Sequence, residues 1–448
     1  MSANKNFYCA RIYVTHKCNS NCTFCDTHDK KYHDIDDMPL EIAKSLIHQL
    51  KEIGCQYIDF TGGEPTLNKN LPAMIDLAKE LDIKTEVTTN ATAGLTETLI
   101  LCAKKARKIN ISLDTLNRQL YCQIRGVDKL NVVLEIIKQV AKIRAEVGLR
   151  VQKIMTVVTD KNIDDLPKLI DFATKNNLEI YLNPVFSYGE RHFSIKNISA
   201  KLLTYTFKPH VIIPLHFLEF INDLSKNNRP PCRCSATEQI LTFAANGQLM
   251  MPCYHASERQ LVSWTNLREF LDGDEFHKYS QQRDELASCA KCAVTPYWGI
   301  SFSFRPDKMF LLQSFADRLE HVKRDLMNKL KHYEQSPKLL QLLEELFIIV
   351  RSLPSCQDCP PTDCWQLDNM PHQVFDKIYS LKLNQLRLET NSEAIANIPE
   401  FILKLWISYI IRKMNPTYTR DVSDEINWIK NYLATFSVLV KRNYNRED

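Results

Sequence analysis

An α/β chain is predicted, built as an open, partial (β/α)6 barrel followed by a small cysteine-rich α+β region and a helical C-terminal region. Three observations carry that prediction. From Phe7 to Val185 short β-rich runs alternate with longer amphipathic runs. Cysteines crowd behind Pro230-Pro231. None of the ten glycines lies after Gly299, which suits helices with few tight turns. At 448 residues the chain is long enough for more than one core, and the expected division is a barrel over 1–190, a bridge over 191–229, an auxiliary region over 230–310 and helices over 311–448.

The elements follow in order. FYCARIYV from Phe7 reads as the first strand, and YIDFT from Tyr57, IKTEVTT from Ile83, INISL from Ile109, RVQKIMTVV from Arg150 and EIYLNPV from Glu179 read as the next five. Between them, LEIAKSLIHQLKEIG from Leu40 and KLNVVLEIIKQVAKIRAEVG from Lys129 repeat apolar residues at three- and four-residue spacing, the period of one helix face. Alternation of this kind feeds a parallel sheet with helices outside. Six such units make a partial TIM-like barrel, whose functional groups belong at the C-terminal ends of its strands. Residues 187–229 form a bridge without a clear period. ILTFAANGQLMM then joins two apolar runs around Asn246-Gly247, a strong hairpin signal. Segments from Phe315, Leu339, Pro399 and Asp424 have helical periodicity.

Composition narrows the classes of function. The 57 basic and 53 acidic residues nearly cancel at +4, which gives no warrant for nucleic acid or an anionic membrane as partner. No run reaches the roughly 18 uncharged apolar residues of a membrane span, and the most hydrophobic one, Phe401 to Ile411, is broken by Lys404. MSANKNFYCARIYV has no apolar stretch long enough for a signal peptide, so a cytoplasmic location is expected. Fifteen cysteines in that reducing compartment point to metal or redox chemistry rather than disulfides. Cys9, Cys55, Cys102 and Cys122 stand alone and read as small buried hydrophobes.

CNSNCTFC follows the first strand directly and sets Cys18, Cys22 and Cys25 in Cys-x3-Cys-x2-Cys spacing on a loop where a catalytic site belongs. Soft thiolates suit iron–sulfur clusters, and three ligands for four irons leave one iron open to a small molecule. A structural zinc site wants four closed ligands instead. With Phe24 before the last cysteine and FTGGEPTLN closing the second strand, the sequence resembles the radical S-adenosylmethionine superfamily. That resemblance implies a [4Fe-4S] cluster on the three cysteines and S-adenosylmethionine as cofactor, its amino group bound by Gly62, Gly63, Glu64 and Pro65. It also implies cofactor contacts for Thr89 or Asn90 in TTNAT, for Ser112 and Asp114 in ISLDT, and for Arg125 in IRGVD, whose fork would pair with the cofactor carboxylate. The implied chemistry is reductive. One electron enters the sulfonium, the C5′–S bond breaks homolytically, and the 5′-deoxyadenosyl radical abstracts hydrogen from substrate, with flavodoxin or ferredoxin as external electron donor.

Cys232, Cys234, Cys253, Cys289 and Cys292 resemble the auxiliary-cluster extension called SPASM, or its shorter form, twitch. Five residues rather than the extension's usual four separate Gly247 from Cys253, and Trp298 stands where a full SPASM domain continues with cysteine. The shorter form is therefore expected, with one auxiliary [4Fe-4S] cluster on Cys253, Cys289, Cys292 and one of Cys232 or Cys234; His255 lies beside Cys253 for a three-ligand variant. A zinc knuckle uses the same ligand types at this spacing. Cys356, Cys359 and Cys364 in CQDCPPTDC read as a second auxiliary site, a completion of the first, a zinc site or free thiols.

The leading expectation is modification of a peptide or protein, as in a RiPP-type maturase. The alternative is small-molecule or cofactor biosynthesis by radical cyclisation or adenosyl transfer. A non-enzymatic iron–sulfur redox or scaffold protein would not need the GGEP cofactor grip. Because about 270 residues and a domain boundary separate Cys289 from Cys18, the two clusters are expected to load independently.

Overall fold

The computed structural model describes residues 9–26, 34–149, 152–186, 196–227, 240–256, 258–282 and 285–289, with single positions such as Cys234, Thr237, Cys292, Val294 and Tyr297. The chain divides into two compact units, Met1–Ser301 and Phe302–Asp448, and every element named below belongs to the first. Apart from Ala316 and Glu320, which are helical, the segments expected to be helical from Phe315 onward, the Phe401 to Ile411 run, and Cys232, Trp298, Cys356, Cys359 and Cys364 lie outside the described residues.

β1 (Cys9–Tyr13), β2 (Tyr57–Thr61), β3 (Lys84–Thr89), β4 (Lys108–Ser112), β5 (Gln152–Val158) and β6 (Glu179–Pro184) pair in sequence order, all parallel. They are the six strands expected from the alternation. α1 (Leu40–Glu52), α2 (Leu71–Glu80), α3 (Glu97–Lys105), α4 (Arg118–Arg125), α5 (Leu130–Glu146) and α6 (Leu166–Lys175) connect them. Helix periodicity explains the packing: α1 buries Ala43, Leu46, Ile47 and Leu50, one stripe at three- and four-residue spacing. Burial of each such leucine or isoleucine contributes about 1.5–3 kcal/mol. α5 presents Val133, Ile136, Ile137 and Val140 in the same way. Its Arg144 is 1% exposed and donates to the carbonyls of Ala103, Ala106 and Arg107 at 2.9, 3.0 and 2.8 Å. That guanidinium staples α5 to the end of α3, where carbonyls lack helical partners.

Two findings go beyond the expected six units. The bridge contains α7 (Lys196–Leu203), a two-residue β7 (Val211–Ile212) parallel to β6, and α8 (Leu215–Asn227). Behind Pro230-Pro231 the expected hairpin forms from β8 (Ile240–Phe243) and β9 (Leu249–Met251), followed by β10 (Gln260–Val262), α9 (Leu267–Asp272) and α10 (Asp274–Gln282). β8 pairs parallel to β1, with Cys9 beside Ile240 and Ile12 beside Phe243. One ten-stranded sheet therefore runs β10-β9-β8-β1-β2-β3-β4-β5-β6-β7, the strands behind Pro230-Pro231 extending the sheet of the six barrel strands. The physical reason is the free edge of β1, which an all-buried strand such as β8 covers.

Strand alternation divides the side chains between two faces. Ala10, Ile12, Ile58, Phe60, Val87, Ile109, Ile111 and Ile154 are fully buried. The opposite face carries charge: Arg11 Nε donates to Asp59 at 2.9 Å, Tyr57 and Asn110 donate to Glu86, and Lys153 stands 3.7 Å from Glu179. The inner wall of the partial barrel is thus polar and ion-paired. Of the isolated cysteines, Cys55 and Cys102 are buried as expected, whereas Cys9 and Cys122 are half-buried.

Candidate active site

The chain leaves β1 into a loop, Val14 to Asp26, at the C-terminal ends of the parallel strands, and this loop carries Cys18, Cys22 and Cys25. Other strand ends hold it. The loop after β2 docks through its backbone, Gly63 N donating to Thr15 O at 2.9 Å and Glu64 N to Lys17 O at 2.8 Å. A β-carbon at Gly62, whose φ is +148°, would stand 2.3 Å from Thr15 O, and one at Gly63 would stand 2.2 Å from Lys17 O and 2.9 Å from Cys18 Cβ. In this structure the two glycines make room for the cysteine loop itself. Pro65 then opens a short turn to Leu67, capped by Glu64.

Glu64 is 1% exposed. Its carboxylate accepts from Thr66 N at 3.1 Å, Thr89 Oγ1 at 2.6 Å and Asn90 N at 2.7 Å, tying the end of β2 to the end of β3. Burial raises its pKa, and those hydrogen bonds oppose the rise. Asn90 reaches the cysteine loop: its amide donates to Asn19 Oδ1 at 2.8 Å and lies 3.7 Å from Cys18 Sγ.

α4 provides the other support. Asn21 N and Thr23 N donate to the carbonyls of Arg125 and Ile124, both at 2.9 Å, at the end of that helix. A β-carbon at the following Gly126 would meet Asn21 O at 2.6 Å. Arg125, 5% exposed, donates through Nε to Asp114 at 2.5 Å, reaches Cys22 Sγ through Nη1 at 3.6 Å, and covers the Phe24 ring at 5.4 Å. Asp114 is fully buried, and its second oxygen accepts from Val157 N at 2.9 Å. In this arrangement the Arg125 fork serves Asp114 and the cysteine loop. Ser112 is half-buried at the end of β4.

Could these residues hold an iron–sulfur cluster? Burial, with added repulsion from Glu64, Cys22 and Cys25, pushes the Cys18 thiol up to about 11. The three sulfurs share one electrostatic neighbourhood. Among the described residues no group of three or more His, Cys, Asp or Glu side chains is arranged around a single metal ion. A cluster spreads its thiolates around a cube and supplies its own bridging sulfides, so its ligands stand farther apart than those of one ion. Half-buried thiols on one loop, flanked by the N–H donors of Asn90 and Arg125, fit that demand.

The later cysteines also gather. Cys234, Cys253 and Cys292 pack with Phe186 against Ile240, Val294 and Tyr297. Burial pushes the Cys253 thiol up to about 11, and Cys289 lies near enough to add to that rise. His255 sits beside them, 5.7 Å from Tyr297 and 5.9 Å from Phe186 between ring centroids. Sequence reasoning missed His16, Asp26, Tyr254 and Arg259, all less than a tenth exposed, which lie between the two cysteine groups. Position next to Cys18, Cys25 and Cys253 was the signal available for three of them.

Residues 12–173 match the family model described as the Radical SAM superfamily. A protein named probable GTP 3′,8-cyclase from Sulfurisphaera tokodaii is 30% identical over 286 residues, which cover 59% of this chain and 85% of the relative. One of the same name from Sulfolobus acidocaldarius is 36% identical over 202 residues, covering 43% of this chain and 62% of the relative. Among solved structures, Streptococcus suis SuiB bound to S-adenosylmethionine superposes with a TM-score of 0.51 at 18% identity, covering 64% of this chain and 72% of that one. SuiB bound to its precursor peptide SuiA gives 0.52 at 17% identity, covering 65% and 71%. At such identity the likeness speaks for the fold alone.

Proposed function

The chain belongs to the radical S-adenosylmethionine superfamily, and from that premise we propose that this radical enzyme acts on a small polar molecule, of the nucleotide class, by radical cyclisation. The observation that carries the reading is the 30% identity to a probable GTP 3′,8-cyclase over 85% of that relative's length. The ion-paired inner wall, with Arg11, Asp59, Glu86, Lys153 and Glu179, supports it, because a polar lumen suits a substrate with many hydrogen-bonding groups better than an apolar side chain. This revises the leading expectation of peptide modification, whose support among the comparisons is a shared fold.

Cys18, Cys22 and Cys25 hold a [4Fe-4S] cluster in this reading, and Cys253, Cys289, Cys292 and Cys234 or Cys232 hold an auxiliary one. When bound, the first cluster supplies the electron that cleaves S-adenosylmethionine to a hydrogen-abstracting 5′-deoxyadenosyl radical. The protein's own work is positional. Asn90 and Arg125 direct N–H groups at Cys18 and Cys22, 3.7 and 3.6 Å away, and such donors orient the ligands and stabilise negative charge on sulfur. Glu64 locks the β2 and β3 ends into one wall. Of the other expected cofactor contacts, Ser112 is half-buried at the end of β4, whereas Thr89 and Asp114 are fully buried and support the site through Glu64 and Arg125.

The test is anaerobic reconstitution with iron and sulfide, followed by reductant, S-adenosylmethionine and either nucleoside triphosphates or peptides. Formation of 5′-deoxyadenosine should rise on adding a purine nucleotide, with a cyclised product in the mass spectrum. Stimulation by peptides alone would overturn the choice of substrate class while leaving the radical chemistry intact.

A further inference from the structure

The β1 loop is supported at three points by residues from three different elements. Cys18 has Asn90, from the end of β3, and Cys22 has Arg125, from the end of α4. The third support comes from the far side of β1. Asp26, which follows Cys25 directly, is 7% exposed and accepts from the Tyr254 hydroxyl at 3.1 Å. Arg259 Nη2 lies 3.9 Å from the other Asp26 oxygen, both side chains being 8% exposed. The Arg259 guanidinium also covers the Tyr254 ring at 5.3 Å and donates to Ala256 O at 3.2 Å. Tyr254 in turn packs on Tyr13 with 4.6 Å between centroids, and Tyr13 stacks on His16 at 5.5 Å. His16 Nε2 receives the Ala245 N–H at 3.4 Å.

We propose that Asp26, Tyr254 and Arg259 form a buried clamp that positions the Cys25 end of the cysteine loop, so that residues flanking the second cysteine group fix the geometry of the first. The inference rests on the reading of Cys25 as a cluster ligand and goes beyond it by assigning roles to Tyr254 and Arg259. Burial is the physical argument. A carboxylate held out of water needs both its hydrogen bond and its countercharge, and here both come from the segment that follows Cys253. β8 beside β1 makes the contact possible by bringing that segment against the loop. Neither Tyr254 nor Arg259 is a catalytic residue in this account; both act through the loop.

The experiment uses the full chain. In metal-free protein, Tyr254→Phe and Asp26→Asn should speed amide hydrogen exchange over residues 21–26 by about tenfold while β5 and α5 stay within about twofold of wild type, because the clamp is a local opening unit. Arg259→Lys should restore most of the protection that Arg259→Gln loses. Unchanged exchange over residues 21–26, a uniform rise across the whole unit, or equal behaviour of the lysine and glutamine variants would overturn the clamp. After reconstitution, Tyr254→Phe should alter the electron paramagnetic resonance spectrum of the reduced barrel cluster, and an unaltered spectrum would also count against it. If the wild-type chain took up no cluster at the β1 loop, the cluster reading would fail and the amide result would still decide whether the clamp exists.

Discussion

The two cysteine groups are set among different neighbours. Around the β1 loop the supports are polar and directional: backbone bonds from Gly63 and Glu64, an amide from Asn90, and the buried Arg125–Asp114 pair. Cys234, Cys253 and Cys292 pack among apolar side chains, Ile240, Val294, Tyr297 and Phe186, and the Cys253 thiol also has hydrogen bonds with the backbone of His255 and Ala256 and with the Tyr297 side chain. Bonds drawn from several strand ends fix a geometry across the sheet, whereas apolar packing fixes a volume and leaves the direction of each thiol to its near neighbours. The difference teaches that the first group is braced by polar groups from distant strand ends, and the second by an apolar pack and its near neighbours.

The sharpest way to break this contrast is to remove the ligands. Changing Cys18, Cys22 and Cys25 together to alanine should drop 5′-deoxyadenosine formation to the background without protein, while changing Cys289 and Cys292 should leave slow cleavage of S-adenosylmethionine in place and stop turnover of the natural substrate. Chromatography of both products on both variants checks it.

A second test strips a directional support. Arg125→Gln leaves Asp114 buried without its countercharge, and should cost about 3–5 kcal/mol in urea unfolding of the metal-free protein. Asp114→Asn should cost a comparable amount. Steric pressure gives a smaller effect: Gly63→Ala places a methyl group against Lys17 O, and should cost about 1–3 kcal/mol and lower iron retention at the β1 loop.

The smallest expected effect is on acid stability. Burial, and then the nearby charge of Arg259, lower the pKa of His16 to about 4, so the ring stays neutral in the folded state. A folded pKa below the unfolded value of about 6.5 makes the stabilisation complete above pH 6.5 and lost as pH falls toward 4. His16→Asn keeps an acceptor for Ala245 N–H but cannot charge. Its unfolding midpoint should fall less than that of wild type between pH 7 and pH 4.5.

Much of this architecture was legible in the chain. The six barrel strands stood out because apolar β-branched runs and long helical periods alternate, and the cysteine triplet stood out because its spacing is covalent and local. The bridge was opaque because β7 has only two residues, Val211–Ile212, and α7 only eight. Pairing of β8 with β1 was opaque for another reason. Ile240–Phe243 reads as a hairpin strand whatever its other neighbour, and the open edge of β1 leaves no mark on sequence. The same holds for the pairing of Arg125 with Asp114, and for Asp26 and Arg259, which only the completed sheet brings together.

The central claim, that the loop after β1 generates the radical, is tested most directly by electron paramagnetic resonance of the reduced, reconstituted protein with and without S-adenosylmethionine. Adding S-adenosylmethionine should change the cluster signal of wild type and of the Cys289→Ala/Cys292→Ala variant, and should leave no such change in the variant lacking Cys18, Cys22 and Cys25. A change that persists without those three cysteines would contradict it.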